Sequence, residues 1–182
     1  QTVRRVSKGT RTLVAGDLYL ALRGENHDGN VYAKEAAAKG AAGAILDAVP
    51  DGLPPDFPIL LVDDTLLALH RLAAAWRDRL ALRVVCITGS SGKTSTKEFT
   101  AAVLSVRYRV VKTEGNLNNH IGLPLSILSA SIFDDAAVWE IGMNHPGEIA
   151  PLARLARPDL AIITNIGVAH IEYMGSREAI AH

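Results

Sequence analysis

The chain has 182 residues, 48% of them apolar, which suffices for the packed core of one large domain or two small ones and excludes a disordered tail. Nineteen Lys+Arg balance nineteen Asp+Glu for a formal charge of 0, so the basic excess of a nucleic-acid or polybasic membrane binder is missing and any bound anion must be met locally. No apolar run reaches the roughly 18 residues of a membrane helix; neither nucleic acid nor membrane insertion is expected. The single cysteine, Cys86, lies in an apolar run and reads as a buried, reduced thiol. A cytoplasmic monomer is expected. The chain opens on Gln1 rather than Met and stops at His182 directly after a helix-like stretch, so both ends read as cut.

In chain order, Asp17 to Leu22 predicts a short strand and Gly24 to Gly29 a turn. Ala33 to Lys39 predicts an alanine-rich helix stopped by Gly40. Gly43 to Asp47 and Ile59 to Val62 are further short strands, the second preceded by a loop with Pro54, Pro55 and Pro58. Asp63-Asp64-Thr65 offers capping side chains for a helix through about Leu82, with Leu66, Leu69, Leu72, Ala73 and Trp76 on one stripe. A seam is placed at residues 80 to 83, dividing the chain into 1–82 and 83–182. Beyond it, strands at Val84 to Thr88, Val110-Val111, Ala136 to Ile141 and Leu160 to Thr164 alternate with helices. Those helices are placed at Thr94 to Ser105, with Phe99, Val103 and Val106 inward, at Leu123 to Ala130, and at Pro146 to Ala156. Apolar strands spaced by helices indicate an α/β fold with a mostly parallel, doubly wound sheet following a small α/β unit.

The first of these later strands runs into Gly89-Ser90-Ser91-Gly92-Lys93-Thr94-Ser95 and then a helix. Glycines let successive N–H groups turn inward, the helix N-terminus adds partial positive charge, Lys93 can reach outer phosphates, and the Thr94 hydroxyl can face Mg²⁺. The general phosphate-loop motif has a glycine five residues before its Gly-Lys pair, where Ile87 stands here, so this is a variant. Ligands of open parallel sheets sit beyond the carboxyl ends of the strands. At that rim Glu140 ends an apolar strand and suits Mg²⁺, although a surface Glu at a strand end is the plainer alternative. His170, beyond the last strand, is a metal or phosphate group or a structural histidine. Asn116, Asn118 and Asn119 fall in a polar loop suited to a phosphorylated or sugar substrate, and turn chemistry accounts for them equally well.

Four segments in order carry a resemblance: Thr88 to Ser95; Thr113-Glu-Gly-Asn-Leu-Asn-Asn-His-Ile-Gly-Leu-Pro124; Glu140-Ile-Gly-Met-Asn-His-Pro-Gly-Glu148; and Thr164-Asn-Ile-Gly-Val-Ala-His170 with Gly175-Ser176. Together they closely resemble the Mur ligases. Gly16 to Asn26 with Asp28-Gly29 is similar to the N-terminal domain that receives the UDP part of the substrate in that family. The resemblance implies ATP-dependent amide ligation in peptidoglycan synthesis, and hence a part in cell-wall biogenesis, cell shape and division. The Glu114-Gly115-Asn116 and Met143 to Pro146 segments favour D-alanyl-D-alanine and UDP-N-acetylmuramoyl-tripeptide as substrates, joined through an acyl phosphate.

By the same resemblance Lys93 and the amides of Gly89 to Ser95 hold ATP phosphates, and Thr94 with Glu140 holds one Mg²⁺. His170 ligates a second Mg²⁺, making Lys93, Glu140 and His170 the catalytic set. Asn116, Asn118 or Asn119 touches the UDP-muramoyl portion, and Ser7, Thr10 and Arg11 are candidates for the uridine side. Two positions depart from the family: Gly9 stands where an acid is usual and Asn30 where a His follows Asp-Gly. The family's metal-supporting Lys and its C-terminal domain lie beyond the stretch present, so the chain alone is expected not to complete catalysis. Two other classes remain: a sister or folylpolyglutamate synthase-like ligase, and a non-catalytic nucleotide-binding module.

Overall fold

The structure, a computed structural model, describes residues 3–24, 27–167, 173 and 175–181. They form two compact units, 1–72 and 73–182. The division falls inside a helix, whereas the sequence seam lies at 80 to 83.

In the first unit, strands β1 (Val6–Ser7), β2 (Leu18–Leu20), β5 (Gly43–Leu46) and β6 (Ile59–Leu61) make a four-stranded parallel sheet in the order β1-β2-β5-β6. The expected strand from Asp17 begins one residue later, because the buried Asp17 carboxylate turns back to accept from Arg5 Nε at 2.9 Å and Val14 N at 3.0 Å. The expected turn at Gly24 to Gly29 is a small antiparallel hairpin of β3 (Arg23–Gly24) and β4 (His27–Asp28); its tip, Glu25-Asn26, lies outside the described residues. A 3-10 turn over Gly29–Tyr32 leads into helix α1 (Ala33–Ala38), whose Ala33 and Ala36 pack with Leu13, Tyr19 and Leu46. Helix α2 (Thr65–Arg79) starts where Asp64 Oδ1 accepts from Leu66 N at 2.8 Å and Leu67 N at 2.9 Å, the capping expected from Asp63-Asp64-Thr65.

The second unit is built on β7 (Arg83–Thr88), β8 (Val110–Lys112), β9 (Ala136–Glu140) and β10 (Leu160–Ile163), all parallel, in the order β10-β7-β9-β8. Period-two alternation sends side chains to both faces. Val84, Cys86, Ala137 and Trp139 join Leu123, Ile127, Leu152 and Ala156, contributed by helices α4 (Gly122–Ser129) and α5 (Ile149–Ala156). Ile87 and Val138 point the other way, to Ala101 and Leu104 of helix α3 (Lys93–Ser105). The sheet is therefore wound on both faces, as expected for the α/β class. A final short helix, α6, spans Arg177–Ala181. Among the described residues no helix is long and apolar enough to cross a membrane.

Two expectations are corrected. Phe99, Val103 and Val106 do not face inward: they are 72%, 73% and 89% exposed. The face of α3 laid on the sheet carries Lys97, Ala101 and Leu104, again spaced i, i+4, i+7, so the sequence stripe had the right period and the wrong phase. Helix α5 begins at Ile149 rather than Pro146, because Glu148 Oε2 accepts from Asn144 N at 2.7 Å and His145 N at 3.2 Å and holds 144–148 as a turn.

Buried Arg77 ties the second unit together by donating to the carbonyls of Ala156 at 2.9 Å, Leu80 at 3.1 Å and Arg157 at 3.3 Å. Arg77→Leu leaves those carbonyls unpaired and is expected to lower unfolding free energy by about 1–3 kcal/mol in urea titration. Burial pushes the Cys86 thiol from 9.0 up to about 12. A raised folded value means stability that is complete below pH 9 and lost as pH rises toward about 12, since only the unfolded chain ionises there. The urea midpoint should fall across that window, and Cys86→Ala should flatten the fall.

Candidate functional site

Adjacent strands β7 and β9 send their connections to opposite faces of the sheet, α3 on one and α5 on the other. Such a divergence opens a crevice at the carboxyl ends. From β7 the chain turns through Gly89, with φ +130°, and Gly92, with φ +79°, into the first turn of α3. A Cβ on Gly89 would stand 2.2 Å from Thr164 Oγ1 and 2.9 Å from the Asn165 carbonyl, so that position requires glycine on two counts.

The loop is braced from β10. Asn165 O accepts from Ser90 N at 3.0 Å, and the Asn165 side chain meets Ser91 at three atoms: Oδ1 accepts from N at 3.2 Å, while Nδ2 donates to O at 3.2 Å and to Oγ at 2.9 Å. Thr164 Oγ1 donates to Ser91 O at 2.6 Å, and Gly167 N donates to Ser90 Oγ at 2.8 Å. Lys93 Nζ folds over the loop to donate to Gly89 O at 2.6 Å. Ser95 is exposed one residue past Thr94.

Across the crevice, Glu140 closes β9 and is 2% exposed. Its Oε2 accepts from Thr94 Oγ1 at 2.9 Å and its Oε1 from Asn118 Nδ2 at 2.8 Å, so residues separated by 46 and 22 positions in sequence converge on one carboxylate. Asn118 is clasped further by Gly142 N, which donates to its carbonyl at 2.8 Å. Asn119 Oδ1 accepts from Ile121 N at 3.1 Å and Gly122 N at 2.9 Å, which caps α4, while Asn116 is exposed. A cavity of about 630 Å³ opens beside the loop, lined by Thr88, Ser90, Lys93, Met143, Ile149 and Ile163.

Hydroxyl and carboxylate oxygens are the donors a hard divalent cation prefers, and Thr94 and Glu140 fit Mg²⁺ on that ground. Among the described residues no group of three or more His, Cys, Asp or Glu could hold a metal ion. His170 lies outside the described residues. In the first unit Ser7 and Thr10 are buried and Arg11 exposed; Ser7 Oγ donates to Gly9 O at 3.1 Å, and Thr10 O accepts from Lys39 Nζ at 2.8 Å. Thr113 and Asn165 lie in the sequence segments that carry the resemblance but receive no role there, and Lys97 lies in none of them. Asn165 could have been found from its position at a strand end beside the phosphate loop, but a buried lysine on a helix gives no such signal.

A strand, a glycine-turned loop closed by lysine, a helix and an acid at the next strand end define an α/β protein of the phosphate-loop class. Residues 87–182 match the Mur ligase middle domain, and the chain belongs to the Mur ligase family. It is 46% identical over 179 residues to the UDP-N-acetylmuramoyl-tripeptide–D-alanyl-D-alanine ligase of Bacillus subtilis (strain 168), covering 98% of this chain and 39% of that protein. A crystal structure of MurF from Acinetobacter baumannii superposes with a TM-score of 0.90 at 38% identity, over 98% of this chain and 39% of that one. MurF ligase from Thermotoga maritima in complex with ADP gives 0.85 at 37%, over 98% and 41%. The chain thus spans about two fifths of the length of these relatives.

The two loop glycines should separate on substitution. Gly92→Ala has open space and only an unfavourable φ to bear, about 1–2 kcal/mol. Gly89→Ala adds the clash with Thr164 and Asn165, so urea titration should show the larger loss at Gly89.

Proposed function

We propose that the protein carrying this chain is a cytoplasmic, ATP-dependent amide ligase that joins D-alanyl-D-alanine to UDP-N-acetylmuramoyl-tripeptide in peptidoglycan precursor synthesis. The observation that carries the reading is the convergence of Thr94 and Glu140 at the rim beside the phosphate loop, in a chain 46% identical to a relative named for that reaction. Residues 1–82 would receive the UDP portion, with Ser7, Thr10 and Arg11 as its candidate contacts, and 83–182 would supply part of the ATP centre.

A carboxylate is a poor electrophile, so the reaction is divided. A carboxylate oxygen of the tripeptide attacks the γ-phosphorus and ADP departs; the dipeptide amine then attacks the acyl carbon, loses a proton, and phosphate departs as the amide forms. Little covalent chemistry falls to the protein, whose task is alignment and charge neutralisation. Lys93 would leave the Gly89 carbonyl to meet the β- and γ-phosphates, joined by amides of the Gly89 to Ser95 loop other than Ser90 N and Ser91 N, which donate to Asn165. Thr94 and Glu140 would hold Mg²⁺, which when bound offsets phosphate charge, and His170 would hold a second. Asn116, Asn118 and Asn119 lie on the loop that would face the UDP-muramoyl portion.

The full-length protein should release phosphate from ATP only when tripeptide substrate and dipeptide are both present; release independent of both would overturn the reading. Lys93→Ala should cut kcat/KM for ATP by about 100-fold or more with the melting temperature kept, the scale of losing one charge-stabilising donor.

A further inference from the structure

Lys97 is 1% exposed, although its neighbours on the inner face of α3 are Ala101 and Leu104 and apolar packing alone would fill that position. Burying an ammonium is unfavourable unless it is paired and hydrogen-bonded. Its partners are definite. Nζ donates to the Thr113 carbonyl at 2.8 Å and lies 3.2 Å from Glu98 Oε1, whose other oxygen pairs with Lys112 Nζ. Both lysines therefore fasten the end of β8 to the phosphate-loop helix.

Thr113, with no exposed surface, uses each of its polar groups across this junction. Its N–H donates to Val138 O at 3.1 Å, its carbonyl takes Lys97, and its Oγ1 accepts from Glu140 N at 3.0 Å. Thr113 also begins the loop that returns at Asn118 to hold Glu140 Oε1. Glu140 is thus gripped twice from α3: directly at Oε2 by Thr94, and at its backbone by Thr113, which is anchored by Lys97. Thr94 and Lys97 are three residues apart on one helix face, so a single rigid turn sets both grips.

We propose that Lys97 is a positioning residue of this site, locking the 113–122 loop and the Glu140 main chain onto the phosphate-loop helix so that the Glu140 carboxylate stays aimed at Thr94 and a metal–nucleotide. The role rests on the proposed function. It acts on Glu140 orientation rather than on nucleotide contact, so it predicts weakened metal affinity beyond any change in folding stability.

The test uses the full-length protein with ADP bound, titrated with Mn²⁺ and followed by electron paramagnetic resonance, with the melting temperature and the Mg²⁺ requirement of turnover measured alongside. Lys97→Met should weaken Mn²⁺ binding by about tenfold or more, as expected when a group orienting a metal ligand is lost, and raise the Mg²⁺ requirement in parallel. Thr113→Val should act in the same direction, and Thr113→Ser, which keeps the hydroxyl, should restore binding. Wild-type Mn²⁺ affinity in Lys97→Met, whatever its melting temperature, overturns the role. If Lys97→Met does not fold, the Thr113 pair decides: equal affinities in the Val and Ser variants overturn it, as does failure of both Lys97→Met and Thr113→Val to fold. Wild-type protein that binds no Mn²⁺ with ADP overturns the proposed function and this role together, whereas a binding wild type with matching variants overturns this role alone.

Discussion

Everything at the carboxyl rim of the second unit depends on keeping one buried carboxylate in place. Glu140 is 2% exposed at the end of a strand whose five residues are all buried, a setting that would expel an unpartnered acid. It is retained because Thr94 and Asn118 each give one hydrogen bond to a different oxygen. Those two bonds dictate much of the surrounding geometry. Helix α3 must begin where it presents Thr94, and the loop after β8 must double back far enough to deliver Asn118.

The return of that loop is set by close contact. A Cβ on Gly122 would stand 2.4 Å from the Leu117 backbone, and one on Gly142 would press on the Asn118 side chain at 3.1 Å. Glycines at these two positions let the polar loop lie flat between the start of α4 and the segment leaving β9. Asn119 then caps α4 while Asn118 turns to Glu140, so neighbouring asparagines do different work. The formal neutrality of the chain is compatible with the proposed function, in which a loop lysine and a cation on Thr94 and Glu140 would meet phosphate without a basic surface.

Much of this was legible in the sequence because the rim is built from strand ends, and strand ends are marked where an apolar run stops at a polar residue. Thr88 before the glycines, Glu140 after Trp139 and Thr164 after Ile163 all announced themselves that way, and the apolar runs gave the parallel, doubly wound α/β class. What stayed hidden was placed by tertiary packing. The apolar stripe Phe99, Val103 and Val106 obeys helical spacing yet faces outward, because the sheet accepts the narrower face carrying Ala101 with a lysine buried beside it. No periodicity rule selects a face with a charge on it. Asn30 shows the same limit in the first unit. It is 3% exposed, bonded to Asp28 and to Asp47, and serves as a joint between the 3-10 turn and the end of β5.

The departure of the phosphate loop from the general motif also has a structural reason. The position where that motif has its first glycine is held by Ile87, which is fully buried in β7 and packs with Ala101 and Val138 under α3. A glycine there would remove a core side chain from a central strand and weaken the strand itself. The backbone turns instead at Gly89, with φ +130°. Ser90 and Ser91 then meet Thr164, Asn165 and Gly167 just past the end of β10, which brace the loop. The core position of Ile87 thus sets where the turn can begin, and the Thr164–Asn165 clamp holds it there.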